Sequence, residues 1–256
     1  MRLLIITKKR LLTVGISAAA LVLALFISVS SLGEAVEASG TKREIPIYYV
    51  DRQDKVVSIS FDAAWGNEQT QTLLDILKRY DVKSTFFLVG QWVDNYPESV
   101  KAIADAGHDV GNHSNSHPQM SQLSTSKMTD EISTCNDKIK QITGKAPTLF
   151  RPPYGDYNNA VVNAVKDMNM YCIQWDVDSL DWKDPTAQDM TNRVLSKIKN
   201  GSIILMHNGA KNTPEALPMI IEGILAKGYK IVPISEILLQ GAYTTDHEGK
   251  MISAGM

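Results

Sequence analysis

Lys55-Val56-Val57-Ser58-Ile59-Ser60-Phe61-Asp62-Ala63-Ala64-Trp65-Gly66, followed by Asn67, Glu68 and the spaced leucines Leu73, Leu74 and Leu77, is the stretch on which the fold turns. The run from Val56 to Phe61 is short and rich in β-branched residues, so it reads as a strand. Asn67 and Glu68 then open an amphipathic helix that ends near Tyr80. A strand feeding directly into a helix is the unit from which parallel sheets are built.

The same alternation continues along the chain. Strands are expected at 84–89, 108–112, 148–151, 170–177, 202–207 and 229–232, with helices at 97–106, 126–142, 159–168, 186–199 and 213–227 and a short one at 234–239. Gly107, Gly144, Gly201 and Gly228 stand where helices stop, and Thr213-Pro214-Glu215 reads as an N-cap, N1 and first turn. About seven strands alternating with helices define an α/β fold, either an open doubly wound sheet or a closed barrel. Pattern alone does not choose between them.

The 256 residues are 44% hydrophobic and 21% charged, enough for one substantial core. A formal net charge of −2 leaves no footprint for wrapping phosphates, so nucleic acid is not an expected partner. The N-terminus differs in kind. Lys8, Lys9 and Arg10 precede an almost uncharged stretch at 11–32, long enough to cross the ~30 Å hydrocarbon core of a bilayer. Residues 1–10 are expected in the cytoplasm, 11–32 as a transmembrane or signal helix and 33–54 as a linker. An exported domain is expected at 55–240 and a loose tail at 241–256. Ala38 before Ser39 also fits a signal-cleavage site, which would make the protein secreted rather than anchored. Cys135 and Cys172 are too few for a disulfide framework and read as two buried thiols, with a single bridge as the alternative.

Unusual polar residues collect just after predicted strands: Asp62, His113, His117, Arg151, Asp178, Asp181 and His207. In a parallel α/β fold those strand ends share one face, where active sites form. His113 and His117 are four apart, so one helical turn would bring both imidazoles to one side as a zinc, cobalt or nickel ion requires. Asp62 at a strand exit suits proton abstraction, and His207 at another suits general acid catalysis. Arg151, stiffened by Pro152 and Pro153, needs a carboxylate partner.

Five segments stand in one order: 60–66 (Ser-Phe-Asp-Ala-Ala-Trp-Gly), 112–117 (Asn-His-Ser-Asn-Ser-His), 151–155 (Arg-Pro-Pro-Tyr-Gly), 178–182 (Asp-Ser-Leu-Asp-Trp) and 205–207 (Leu-Met-His). Together they resemble the polysaccharide deacetylases, the NodB-homology or carbohydrate esterase family 4 proteins, over about 56–239. The resemblance implies a distorted (β/α) barrel of about seven parallel strands and a metal-assisted hydrolysis of N-acetyl groups on peptidoglycan or a related aminoglycan. By the same resemblance Asp62 is the base, Arg151 orients it, and His113 and His117 hold a divalent metal, zinc first. His207 is the acid tuned by Asp181, the backbone N–H of Tyr154 faces the oxyanion, and Trp182 and Leu205 shape the acetyl pocket. Asp178 is a weaker candidate.

One position departs from the family. Its first motif carries two adjacent aspartates, the second being the third protein ligand to the metal, and here that position is Ala63. The expectation divides three ways: a weak metal completed by water, a substitute carboxylate from Glu68 or Asp62, or no metal and little hydrolysis, which would leave a glycan-binding wall protein. The form of the 61–66 segment resembles the sporulation-associated branch of the family.

Overall fold

The computed structural model of the chain describes residues 43–254. The expected cytoplasmic and membrane or signal segments at 1–32 lie outside the described residues, and among the described residues no helix is long and apolar enough to cross a membrane.

The strand that opens the reading is the centre of the sheet. β1 (Tyr49–Val50) precedes it, and β2 (Val56–Ala63) is buried along its whole length. Its residues alternate between two environments, as a strand's must. Val57, Ile59, Phe61 and Ala63 share one apolar cluster with the helices. Ser60 and Asp62 face the other way, toward the Arg151 guanidinium. Both faces are covered, so the polar residues of β2 are buried and hydrogen-bonded: Ser60 Oγ donates to the Ile204 carbonyl (2.8 Å) and Asp62 accepts from Arg151.

Around it run α1 (Thr70–Arg79), β3 (Thr85–Leu88), α2 (Gly90–Asn95), α3 (Pro97–Asp105), β4 (Asp109–Asn112), α4 (Thr125–Thr143), β5 (Leu149–Phe150), α5 (Asn159–Asp167) and β6 (Tyr171–Cys172). Then follow β7 (Val177–Asp178), α6 (Ala187–Lys197), β8 (Ile203–His207), α7 (Thr213–Ala226), β9 (Lys230–Ile231), α8 (Ile234–Ile237), β10 (Tyr243–Thr245) and β11 (Lys250–Ser253). The parallel sheet has the order β6-β5-β4-β3-β2-β8-β7, with β9 also pairing β2. It curls without β6 and β7 pairing, so the expected barrel is a half-open one.

The seam between those edges is occupied by residues expected in a linker. Ile47 donates to the Cys172 carbonyl (2.9 Å) and accepts from Gln174 N–H (2.7 Å), while Val50 N–H donates to the Gly201 carbonyl (3.0 Å). The domain therefore begins near Glu44, not Lys55. The tail at 241–256 is not loose over its described part. β10 and β11 form a hairpin, β11 pairs β1 in parallel, and Met251 is fully buried. Its turn is set by Asp246, whose Oδ1 accepts from the backbone of Glu248 and Lys250, and by left-handed Gly249.

Other expectations also change. The single strand foreseen at 170–177 is two strands on opposite edges of the sheet, β6 and β7. α1 starts at Thr70 rather than at Asn67, and α2 was not foreseen because Gly90 opens it. Cys135 and Cys172 are both free and buried, so no bridge joins them.

Candidate active site

The strand ends carry the motif residues to one mouth, around a cavity of about 420 Å³. Asp62 and His207 are register partners on β2 and β8, which sets base and acid candidates side by side. Behind Asp62 lies Arg151, with no exposed surface at all. Its Nη1 donates to Asp62 Oδ1 (2.7 Å) and its Nη2 to Ser60 Oγ (2.9 Å) and the Gln174 carbonyl (3.1 Å). The guanidinium also lies 4.1 Å from the Phe87 ring centroid. Burial alone would raise the Asp62 pKa, but the neighbouring positive charge, Arg151 foremost, outweighs it and holds the carboxyl below its ordinary value.

His207 has the opposite bias. Burial favours its neutral form, yet the bond and charge of Asp181 overcome that and raise its pKa above 6.5. Asp181 is wholly buried and fully used: Oδ1 meets His207 Nδ1 at 2.7 Å, and Oδ2 accepts from His207 N–H (2.6 Å) and Thr213 Oγ1 (2.8 Å). Thr213 is thus not the N-cap that its sequence context suggests. Asn212 holds that position, and the threonine hydroxyl orients Asp181.

His113 and His117 meet, though not through a helical turn. The segment after β4 is a loop with left-handed Ser114 (φ 66°) and His117 (φ 61°). Glu131 on α4 closes it, accepting from the N–H groups of Asn115 (2.9 Å) and Ser116 (2.8 Å) and from Ser116 Oγ (2.7 Å). Asn112 adds a bond from Ser114 N–H to its Oδ1 (2.7 Å). His113 Nδ1 lies 2.7 Å from the Arg151 carbonyl, so that nitrogen carries the proton and Nε2 keeps its lone pair. That lone pair points into a space shared with His117 Nε2 (3.2 Å away) and Asp62 Oδ2 (3.4 Å away). Burial lowers the pKa of both histidines, that of His117 to about 4, so both are neutral ligands at neutral pH.

Two neutral imidazole nitrogens at that separation fit part of a divalent-metal site. The third ligand is missing: Ala63 packs its methyl in the apolar cluster beside the helices. Among the described residues no group of three His, Cys, Asp or Glu side chains is arranged to hold a metal ion. Glu68 is no substitute. It is exposed, it does not line the cavity, and its Oε2 accepts from the Asn67 backbone.

Tyr154, Trp182, Leu205 and Asp178 all line the cavity. Tyr154 is left-handed (φ 59°) and packs edge-on against His117, with centroids 4.5 Å apart. Trp65 and Trp175 also line it and were not singled out by the sequence reading. A second hollow, about 600 Å³, lies by His108 and Asp109 at the other end of β4 and contains none of the motif residues.

Residues 49–173 match the polysaccharide deacetylase family profile. A peptidoglycan-N-acetylglucosamine deacetylase of Bacillus cereus is 33% identical over 194 residues, covering 74% of this chain and 91% of that protein. The chain belongs to the polysaccharide deacetylase family. Within that family, the uncharacterized protein YlxY of Bacillus subtilis is 39% identical over 193 residues, 75% of this chain and 60% of YlxY. The chain thus spans less than two thirds of YlxY. Among solved structures, BA3943 of Bacillus anthracis, described as a CE4 family pseudoenzyme, matches with a TM-score of 0.74 at 38% identity, over 81% of this chain and 70% of that one. A BA3943 mutant described as having restored enzymatic activity matches with the same TM-score of 0.74. The chain shares its fold with both.

Proposed function

We propose that this chain is an N-deacetylase acting on a peptidoglycan-type glycan. The observation that carries the reading is the meeting of two buried pairs, Arg151–Asp62 and Asp181–His207, at one cavity. Asp62, held ionised, takes a proton from the water that attacks the acetamide carbonyl. His207, held protonated, gives its proton to the amine as the C–N bond breaks, so water and amide become acetate and free amine. The backbone N–H of Tyr154 faces the developing oxyanion, and Leu205 and Trp182 enclose the acetyl methyl. A divalent ion, zinc first and cobalt or nickel as alternatives, would be held by His113 and His117 and would polarise the carbonyl and the water.

The substrate class is supported by the peptidoglycan-N-acetylglucosamine deacetylase that the chain resembles. A place outside the cytoplasm, tethered by 11–32 or released near Ala38, is supported by the basic and apolar N-terminal pattern. A role in spore or wall formation rests on the form of the 61–66 segment.

Ala63 favours a second reading, in which the chain binds the glycan without cleaving it, as does its likeness to a pseudoenzyme. Acetate release from N-acetylated glycan oligomers, with and without zinc or cobalt, separates the two. The deacetylase reading predicts slow release that Asp62→Asn lowers at least 100-fold, in the range of a lost acid–base group. Glycan binding with no release under any metal supports the second reading.

A further inference from the structure

Among the described residues the exposed large apolar side chains are Trp65, Tyr154, Trp182 and Leu225, and three of these four stand around the same cavity. Trp65 has no part in the proton transfers above. Its ring centroid lies 5.1 Å from that of His207, with an interplanar angle of 32°, and 47% of its surface is open. An indole in a loop ordinarily folds down onto the nearest apolar surface.

Here the loop holds it out. Gly66 is left-handed (φ 66°), and its carbonyl accepts from Trp92 Nε1 (2.7 Å) and Asn208 Nδ2 (3.3 Å). Gly209 lets the tryptophan approach. A Cβ there would lie 2.5 Å from the Trp65 carbonyl oxygen and 3.0 Å from its Cδ1 and Nε1. The loop backbone under the indole is thus held before any ligand arrives, with Gly209 and the His207 ring beside it, which lowers the entropy cost of using it. Tyr154 stands beside His117 and Trp65 beside His207, so two open aromatic rings flank the centre where the acetyl group would sit.

We propose that Trp65 is a specificity-determining residue, its open face receiving the pyranose ring next to the reacting sugar, so that the site selects glycan chains over single N-acetyl sugars. The proposal rests on the glycan reading of the site. A pyranose presents a face of C–H groups, and the negative face of an indole attracts such groups while losing little hydration. One stack of this kind contributes about a tenfold gain in affinity.

The test is calorimetric titration of the full chain with N-acetylglucosamine and with its linear tetramer. The wild-type protein is expected to bind the tetramer about tenfold more tightly than the single sugar, the gain of one aromatic stack. Trp65→Ala should abolish that preference while leaving single-sugar affinity unchanged, and Trp65→Phe should restore most of it. Gly209→Ala, which displaces the ring without removing it, should also weaken tetramer binding, with the melting temperature measured alongside to confirm folding. A tetramer preference that survives Trp65→Ala overturns the inference alone. A wild-type protein that binds neither sugar overturns the glycan reading and the inference with it.

Discussion

Asp181 is a carboxylate with both oxygens committed, one to the His207 ring and the other to the His207 backbone and the Thr213 hydroxyl. Its charge is what keeps His207 protonated against burial. The proton is present below the raised pKa and lost as pH rises through it, so the alkaline limb of activity belongs to His207 and lies above 6.5. Asp181→Asn removes the charge and offers an amide that disfavours the Nδ1–H tautomer. The alkaline limb should then move to lower pH and the maximal rate should fall by about 10²–10⁴-fold. A pH–rate profile of the two proteins checks both; an unmoved limb would mean that another group donates the proton. At this scale the sequence is informative where chemistry is unusual. A histidine ending an apolar strand and an arginine held between strand and prolines both announce themselves. Thr213 does not, because Thr-Pro-Glu matches a helix start so well that its bond to Asp181 has no local signature.

The elements place these side chains, and loops do so more than helices. The loop carrying His113 and His117 has two left-handed residues, Ser114 and His117, that a polar loop would not hold by itself, and Glu131, about two turns into α4, holds it. Glu131→Gln keeps the size but cannot accept all three bonds from donors as a carboxylate does. It should weaken divalent-metal binding by the full chain about tenfold, within the range seen when groups supporting metal ligands are removed. Zinc titration measures this, and equal affinity would show that the loop holds its own shape. The strands at 108–112 and 202–207 and the helix at 126–142 are legible from period and stop signals alone. The chain from 170 to 178 is not, since no Gly or Pro marks the crossing from one sheet edge to the other at 173–176. Glu131 is equally hidden, because nothing in the order of residues says that α4 turns it back onto the histidine loop.

Across the whole molecule the curled sheet converts five scattered motifs into one mouth, and the segment at 47–50 fills the seam that the sheet leaves. That seam is illegible in sequence because the stretch at 47–50 is only four residues long and is flanked by charges, Arg43 and Glu44 before it and Asp51, Arg52 and Asp54 after it, so it looks like a linker until it has strands to lie against. The same architecture leaves Ala63 on the helix-facing side of β2, one residue beyond the base, with two histidines and no third protein ligand. The groups proposed for proton transfer are therefore complete and those proposed for metal binding are not. The most direct measurement is acetate release from N-acetylated peptidoglycan fragments with zinc, comparing wild type, Ala63→Asp and the double variant Asp62→Asn/Ala63→Asp. The account predicts slow release by wild type and none by the double variant, with release at least tenfold faster by Ala63→Asp, whose carboxylate, at the last residue of β2, turns out of the apolar cluster toward the two histidines and raises metal affinity. Folded Ala63→Asp protein that binds zinc yet releases no acetate, or a double variant as active as Ala63→Asp, would contradict it.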